Sequence, residues 1–383
     1  MQSVTPDGNE AAASPRTLPA ERLDDLVAAL RGRGYRVVAP VLREGAVSYG
    51  EIASASELPR GWTDRQEAGT YRLERDPRDL YFGFTLGAQS WKPYLFPPRL
   101  RLWTAERSQD GFEVSEEHQA PPQQAFLGVR PCDLAAIAVQ DRVFLGGRHQ
   151  DPDYRRRRER ALLVAVTCCQ AAATCFCTSM GHGPRAEAGF DLALTELRDK
   201  AGHRFLVEAG STRGAEILAE LPTRAAAPAD QKRAERVAAT TAAQITRRMP
   251  AGIAGVLRHS YTHPRWDEVA QRCLACTNCT LVCPTCFCTA VEDTTDLTGV
   301  ANRDRRWDSC FTSEHSYIHG GSVHASTASR YRQWMTHKLS TWFDQFGTSG
   351  CVGCGRCIAW CPAAIDITEE AAAITAAQGD GTC

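Results

Sequence analysis

Cys273-Leu-Ala-Cys276-Thr-Asn-Cys279-Thr-Leu-Val-Cys283-Pro284 returns later in the chain as Cys351-Val-Gly-Cys354-Gly-Arg-Cys357-Ile-Ala-Trp-Cys361-Pro362. Both runs read C-x2-C-x2-C-x3-C-P. Three thiolates at that spacing wrap one corner set of an iron–sulfur cubane, while the fourth, one helical turn on, points away and ligates the other cluster. The ligand sets are therefore expected to cross. One [4Fe–4S] cluster takes Cys273, Cys276 and Cys279 with Cys361, and the other takes Cys351, Cys354 and Cys357 with Cys283. Structural zinc sites also use Cys-x-x-Cys, but as two separate pairs. Here each run carries four cysteines and closes on Cys-Pro, which favours clusters. Gly353 and Gly355 are expected to let backbone approach the second cluster, where amides bonded to sulfur raise its potential.

The rest of the composition fits that reading. The chain has 383 residues, enough for two domains with separate cores, and 17 cysteines. The N-terminus, with Asp7, Glu10, Pro15 and Pro19, holds no apolar core of signal-peptide length, and no stretch approaches a membrane span. A soluble, cytoplasmic protein is expected, and there thiols stay reduced, so clustered cysteines read as metal ligands rather than disulfides. A net charge of −1, from 44 basic and 45 acidic residues, gives no field to draw in nucleic acid or an anionic membrane.

Along the chain, residues 1–18 are rich in Ala, Ser, Pro and Gly and are expected to be disordered. Residues 19–222 alternate helical periodicity (Leu23, Leu26, Val27, Leu30) with apolar runs at 125–129, 162–166 and 205–207, an α/β layout. Residues 223–245 read as a linker, 246–370 as an alpha-helical ferredoxin-like domain, and 371–383 as a tail, so the fold class is α+β with two domains. Within the second domain Tyr331, Trp334, Met335, Leu339, Trp342, Phe343 and Phe346 recur at helical spacing, with Gly347 to end the helix. That helix is expected to pack over the cluster core.

The N-terminal domain has its own cysteines. Cys132 follows the apolar run 125–129, Cys168 follows 162–166, and Cys175-Phe-Cys177 lies in the next loop. If the two runs are parallel strands, both cysteines emerge at carboxyl ends, where open α/β sheets hold their ligands. Cys132, Cys168, Cys175 and Cys177 are thus a candidate ligand set for a third [4Fe–4S] cluster, with Cys169 spare; the plainer reading is that they are small buried hydrophobes. Cys286-Phe-Cys288 repeats the wording of 175–177, but the paired motifs already supply eight thiolates, so Cys286, Cys288 and Cys310 are read as packing residues. Cys383 is read as incidental.

Other features carry less. Arg155–Arg158 with Arg160 read as a solvated loop face, and His315, His319 and His324 as a surface loop beside Gly320 and Gly321. There is no G-x-G-x-x-G after a strand, no Walker loop, no G-x-S-x-G and no H-E-x-x-H. A chain with several clusters and no catalytic constellation is most simply an electron conduit.

Gly128-Val-Arg-Pro-Cys-Asp-Leu, Thr174-Cys-Phe-Cys-Thr-Ser-Met-Gly, Cys283-Pro-Thr-Cys-Phe-Cys, Gly353-Cys-Gly-Arg-Cys-Ile and Trp360-Cys-Pro together resemble the beta subunit of cytoplasmic nickel–iron sulfhydrogenases and the similar A subunit of anaerobic sulfite reductase. The resemblance runs from about residue 125 to 367. It implies an accessory subunit passing electrons between a flavin- and NAD(P)-binding subunit and a catalytic subunit, hydrogenase or sulfite-reducing, with neither flavin nor nickel bound here. The hydrogenase branch is the expectation and sulfite reductase the alternative. A free-standing reductase, with Arg130 and Asp133 beside the third centre, is the competing reading.

Overall fold

The apolar runs around Phe126 and Leu163 form neighbouring parallel strands, Gln124–Val129 and Ala161–Val166, in the middle of an eight-stranded sheet. This computed structural model describes residues 14–85, 87–109, 111–116 and 120–379. The sheet runs in the order Arg224–Ala225, Arg16–Pro19, Gly202–Ala209, Leu192–Asp199, Ala161–Val166, Gln124–Val129, Arg36–Arg43, Ala46–Ile52. Its four central strands pair in parallel and its flanks antiparallel. Every residue of Ala161–Val166 is buried, as expected of a strand covered on both faces. Alternate side chains divide between two cores. Ala125, Leu127, Leu162 and Val164 meet Leu26, Val27 and Leu30 of helix Leu23–Gly32, while Phe126, Val129, Leu163 and Ala165 meet Leu134 and Ile137 of helix Pro131–Leu145.

Several boundaries differ from the sequence reading. Residues 1–13 of the expected disordered terminus lie outside the described residues, but Arg16–Pro19 is a strand, with Leu18 wholly buried. A four-residue strand vanishes in a compositional average, and pairing on both edges holds it. The expected linker 223–245 contains the helix Pro228–Gln244. Ala234 packs it on Leu197 and Leu206, and Asp230 pairs with Arg204 at 2.6 Å. Its Pro sits at the first helical position, where the lost N–H costs nothing, so the Ala- and charge-rich composition marked a helix rather than a connection. The expected tail begins inside helix Ile367–Gly379, whose Ala371 and Ile374 are wholly buried; residues 380–383, with Cys383, lie outside the described residues.

The C-terminal part is not purely helical. Strands Thr289–Thr295 and Ala301–Trp307 form a hairpin that pairs with Arg99–Ser108, which in turn pairs with Gly111–Ser115. Buried Asp304 accepts hydrogen bonds from Arg99 Nη2 at 2.6 Å and Arg101 Nε at 2.5 Å, tying the two halves of the chain together. Arg155–Arg158 lie in the helix Pro152–Glu159, where Arg156 and Arg158 pair with Asp153 and Asp141. Among the described residues no helix is long and apolar enough to cross a membrane.

The helix expected over 331–346 is present in three pieces: Thr327–Thr336, a π-helical turn His337–Thr341, and Trp342–Phe346, which ends at Gly347 in the left-handed region. Tyr331, Trp334, Met335 and Leu339 pack with Phe311, Ile358, Ile365 and Ile374, and Phe176 of the N-terminal half enters the same core.

Candidate iron–sulfur centres

All the described cysteines are free thiols. Cys273, Cys276 and Cys279 line a cavity of about 470 Å³ together with Cys357 and Cys361, both from the second motif. Phe311, Tyr331 and Trp334 close the inner wall, whereas Leu274 is 67 % exposed on the outer side. Around the other motif, burial pushes the Cys351 thiol up to about 12, Cys354 and Cys283 adding to the rise. Burial likewise raises Cys357, with Cys351, Cys354 and Cys283 as its thiol neighbours. Cys283 of the first motif is thus an electrostatic neighbour of Cys351 and Cys357, as Cys279 also is of Cys357. Among the described residues no three His, Cys, Asp or Glu side chains close on a point as ligands of a single metal ion do. Thiols arranged around a gap suit a cubane better than zinc, whose thiolates converge at roughly 2.3 Å.

The two motif loops share one backbone shape. Ala275 and Thr277 have φ of 49° and 68°, and Gly353 and Gly355 at the matching positions have 69° and 76°. The turn aims an amide at the first cysteine of each motif: Ala275 N–H donates to Cys273 Sγ at 3.4 Å and Gly353 N–H to Cys351 Sγ at 3.5 Å. Left-handed backbone costs a non-glycine residue roughly 1–2 kcal/mol, which the first motif tolerates. The second cannot, for an added reason. A Cβ on Gly353 would stand 2.6 Å from Cys177 Cα, and one on Gly355 2.4 Å from Thr174 O. The glycines thus admit the backbone of 174–177, and Phe176 N–H donates to Gly353 O at 2.9 Å.

That contact brings in the third group. Strands Gln124–Val129 and Ala161–Val166 are parallel, so Cys132 and Cys168 both lie beyond carboxyl ends. Cys132 falls in the first turn of helix Pro131–Leu145, where the helix dipole favours negative charge. Cys132, Cys168, Cys175 and Cys177 line one cavity of about 400 Å³, and Cys354 of the second motif lines it too. Arg130, 2 % exposed, also lines it; its Nη2 donates to Phe82 O and Phe84 O, while its Nη1 is buried without a hydrogen-bond partner. A buried cation with an idle donor facing four thiols fits an anionic cluster. Cys169 turns aside, its thiol donating to Phe82 O at 3.4 Å. Asp133 is held by the Arg356 fork, Nη1 at 2.8 Å and Nη2 at 3.0 Å.

Sequence reasoning passed over Lys338. It falls on the apolar stripe between Trp334 and Trp342, is 3 % exposed, and its Nζ reaches Cys283 Sγ at 3.3 Å, Thr285 Oγ1 at 3.2 Å and Gly350 O at 3.1 Å. Burial opposes its charge, but Cys283, Cys286 and Cys351 outweigh that and hold the ammonium well above its ordinary range. A lysine inside an apolar stripe was the available signal. Cys286, Cys288 and Cys310, read as packing residues, line a cavity of their own beside Lys338. His315, read as part of a surface loop, is exposed, with its Nδ1 against Asp308 Oδ2 at 2.6 Å and Cys288 as an electrostatic neighbour.

Comparison with known proteins adds two findings. Residues 272–365 match the family model of the 4Fe-4S dicluster domain. The chain is 32 % identical over 323 residues to Sulfhydrogenase 2 subunit beta of Pyrococcus furiosus, an alignment covering 81 % of this chain and 90 % of that one. No solved structure matches the chain.

Proposed function

Because this chain belongs to the sulfhydrogenase beta-subunit family, we propose that it is the subunit relaying electrons between a flavin- and NAD(P)-binding partner and a nickel–iron hydrogenase partner. When bound, [4Fe–4S] clusters supply reversible one-electron transfer. Cys273, Cys276, Cys279 and Cys361 hold one, Cys351, Cys354, Cys357 and Cys283 a second, and Cys132, Cys168, Cys175 and Cys177 a third. The observation that supports this reading is the row these groups make: Cys357 and Cys361 line the first motif's cavity, and Cys354 lines the N-terminal one. Cys276 and Leu274 lie exposed at one end of the row, giving a partner close approach.

The chain's own residues hold thiolates, place N–H groups and buried cations against them, and exclude water. Asp133, which a free-standing reductase would present to substrate, is held by Arg356, and Arg130 Nη2 is held by backbone carbonyls while the guanidinium lines the cysteine cavity. Anaerobic purification of the tagged chain from its native host tests the reading. A stoichiometric complex containing flavin and nickel is expected. A chain that comes down alone and turns over with reduced dye, or comes down with a sulfite-reducing subunit, contradicts it.

A further inference from the structure

Of the cysteines outside those ligand sets, the fold gathers three. Cys286, Cys288 and Cys310 line a cavity of about 320 Å³ closed by Trp334, His337, Lys338 and Trp342. Cys310 and His315, the latter outside the cavity lining, are the electrostatic neighbours of the Cys288 thiol. His315 Nδ1 is engaged by Asp308 Oδ2 at 2.6 Å, which leaves the opposite ring nitrogen for the sulfur. A carboxylate that fixes the tautomer and orientation of an imidazole in this way is the usual support of a metal-ligating histidine. Asp308 is itself fixed: its carboxylate accepts from Ser309 N–H at 2.7 Å and Thr312 Oγ1 at 3.0 Å.

Charge points the same way. Two buried lysines flank the loop. Lys338 lines the cavity, and Lys92, 4 % exposed, donates to the backbone carbonyl of Cys286 at 3.3 Å. Interior ammonium groups call for nearby negative charge; burial lowers the Lys92 ammonium against the thiols of Cys286, Cys283 and Cys288, and Cys286 is a neighbour of both lysines. The local wording also repeats that of another candidate site. Cys286-Phe-Cys288-Thr matches Cys175-Phe-Cys177-Thr, whose two thiols line the N-terminal cavity with Cys132 and Cys168.

We infer that Cys286, Cys288, Cys310 and His315 hold a further iron–sulfur cluster, with Asp308 as the positioning residue for the imidazole. It rests on the proposed function only in that the chain is loaded with iron and sulfide. The site lies beside Cys283, the electrostatic neighbour of Cys286, so it branches from the row at the cluster assigned to Cys283 rather than extending either end.

The test uses the full chain prepared anaerobically, with iron, acid-labile sulfide and zinc counted and reduced EPR spectra recorded for wild type, Cys288→Ser, Cys310→Ser, His315→Cys and, as a separate arm, Cys351→Ser. Cys288→Ser and Cys310→Ser are each expected to lose about two to four irons with matching sulfide, and one spectral component, while the remaining components persist. His315→Cys, which keeps a ligand, should retain the iron and shift only that component. Unchanged iron and spectra in both serine variants, or loss of one zinc in place of iron, overturns the inference. If a serine variant misfolds by circular dichroism, His315→Cys decides: a spectrum identical to wild type overturns it. Failure of the Cys351→Ser arm to lose iron would instead strike the reading of the two long motifs.

Discussion

Arg356 and Asp133 form a two-pronged ion pair, Nη1 to Oδ1 at 2.8 Å and Nη2 to Oδ2 at 3.0 Å, with both side chains 1 % exposed or less. Arg356 stands between Cys354 and Cys357, and Asp133 directly follows Cys132, so the pair clamps two cysteine groups to one another. Arg356 Nε also donates to Gly87 O and Gln89 O, each at 3.2 Å. Breaking a buried pair by removing one partner costs about 3–5 kcal/mol, because the other charge is left stranded. Asp133→Ala should therefore lower the thermal midpoint steeply. The double change Asp133→Leu with Arg356→Met should be milder than the single one. Equal losses in single and double variants would mean that the pair contributes shape and not charge.

Lys338 makes a prediction about potential. Its ammonium lies 3.3 Å from Cys283 Sγ and is shielded from water. A positive charge there favours the reduced, more negative state of whatever those thiolates hold. Lys338→Met should lower the midpoint potential of one centre by roughly 50–150 mV, the scale set by Coulomb attraction at moderate dielectric, while Lys338→Arg should recover part of the loss. Redox titration followed by EPR measures this; a shift in no centre would remove Lys338 from the account.

The glycines of the second motif separate two kinds of requirement. Gly353→Ala and Gly355→Ala each set a methyl against the backbone of 174–177 as well as into left-handed φ. They should weaken iron retention by the Cys132 group more than that of the first motif. Ala275→Gly, which relieves the same backbone strain, should leave iron content unchanged or raise stability by about 1 kcal/mol. Iron content and thermal midpoints of the three variants check this. Indifference to Gly353→Ala would mean that the junction yields.

Exchange of the fourth thiols is tested by variants of the exchanged cysteines themselves. Cys361→Ser should perturb the same EPR component as Cys276→Ser, and Cys283→Ser the same one as Cys354→Ser. Pairing of Cys361→Ser with Cys354→Ser would show each motif closing on its own four cysteines.

Much of this was legible because cysteine spacing is a local code with a rigid cofactor behind it. The approach of Cys361 to the first motif, and the strand ends that carry Cys132 and Cys168, follow from short-range rules of helical turn and parallel pairing. What escaped was set by distant contacts. Composition could not show that residues 16–19 find two sheet partners, that 228–244 would pack on Leu197 and Leu206, or that 289–307 would pair with a strand some two hundred residues earlier. Lys338 and Arg356 drew no reading for the same reason: the burial of a lysine or arginine depends on partners the local sequence does not show.

The central claim is that cysteines of the two long motifs hold [4Fe–4S] clusters. Iron and acid-labile sulfide counted in anaerobically prepared protein, alongside its visible absorbance before and after dithionite, test that most directly. The account predicts at least about eight irons and eight sulfides per chain, with a brown absorbance that bleaches on reduction. Stoichiometric zinc, or iron well short of that number with no bleachable absorbance, would contradict it.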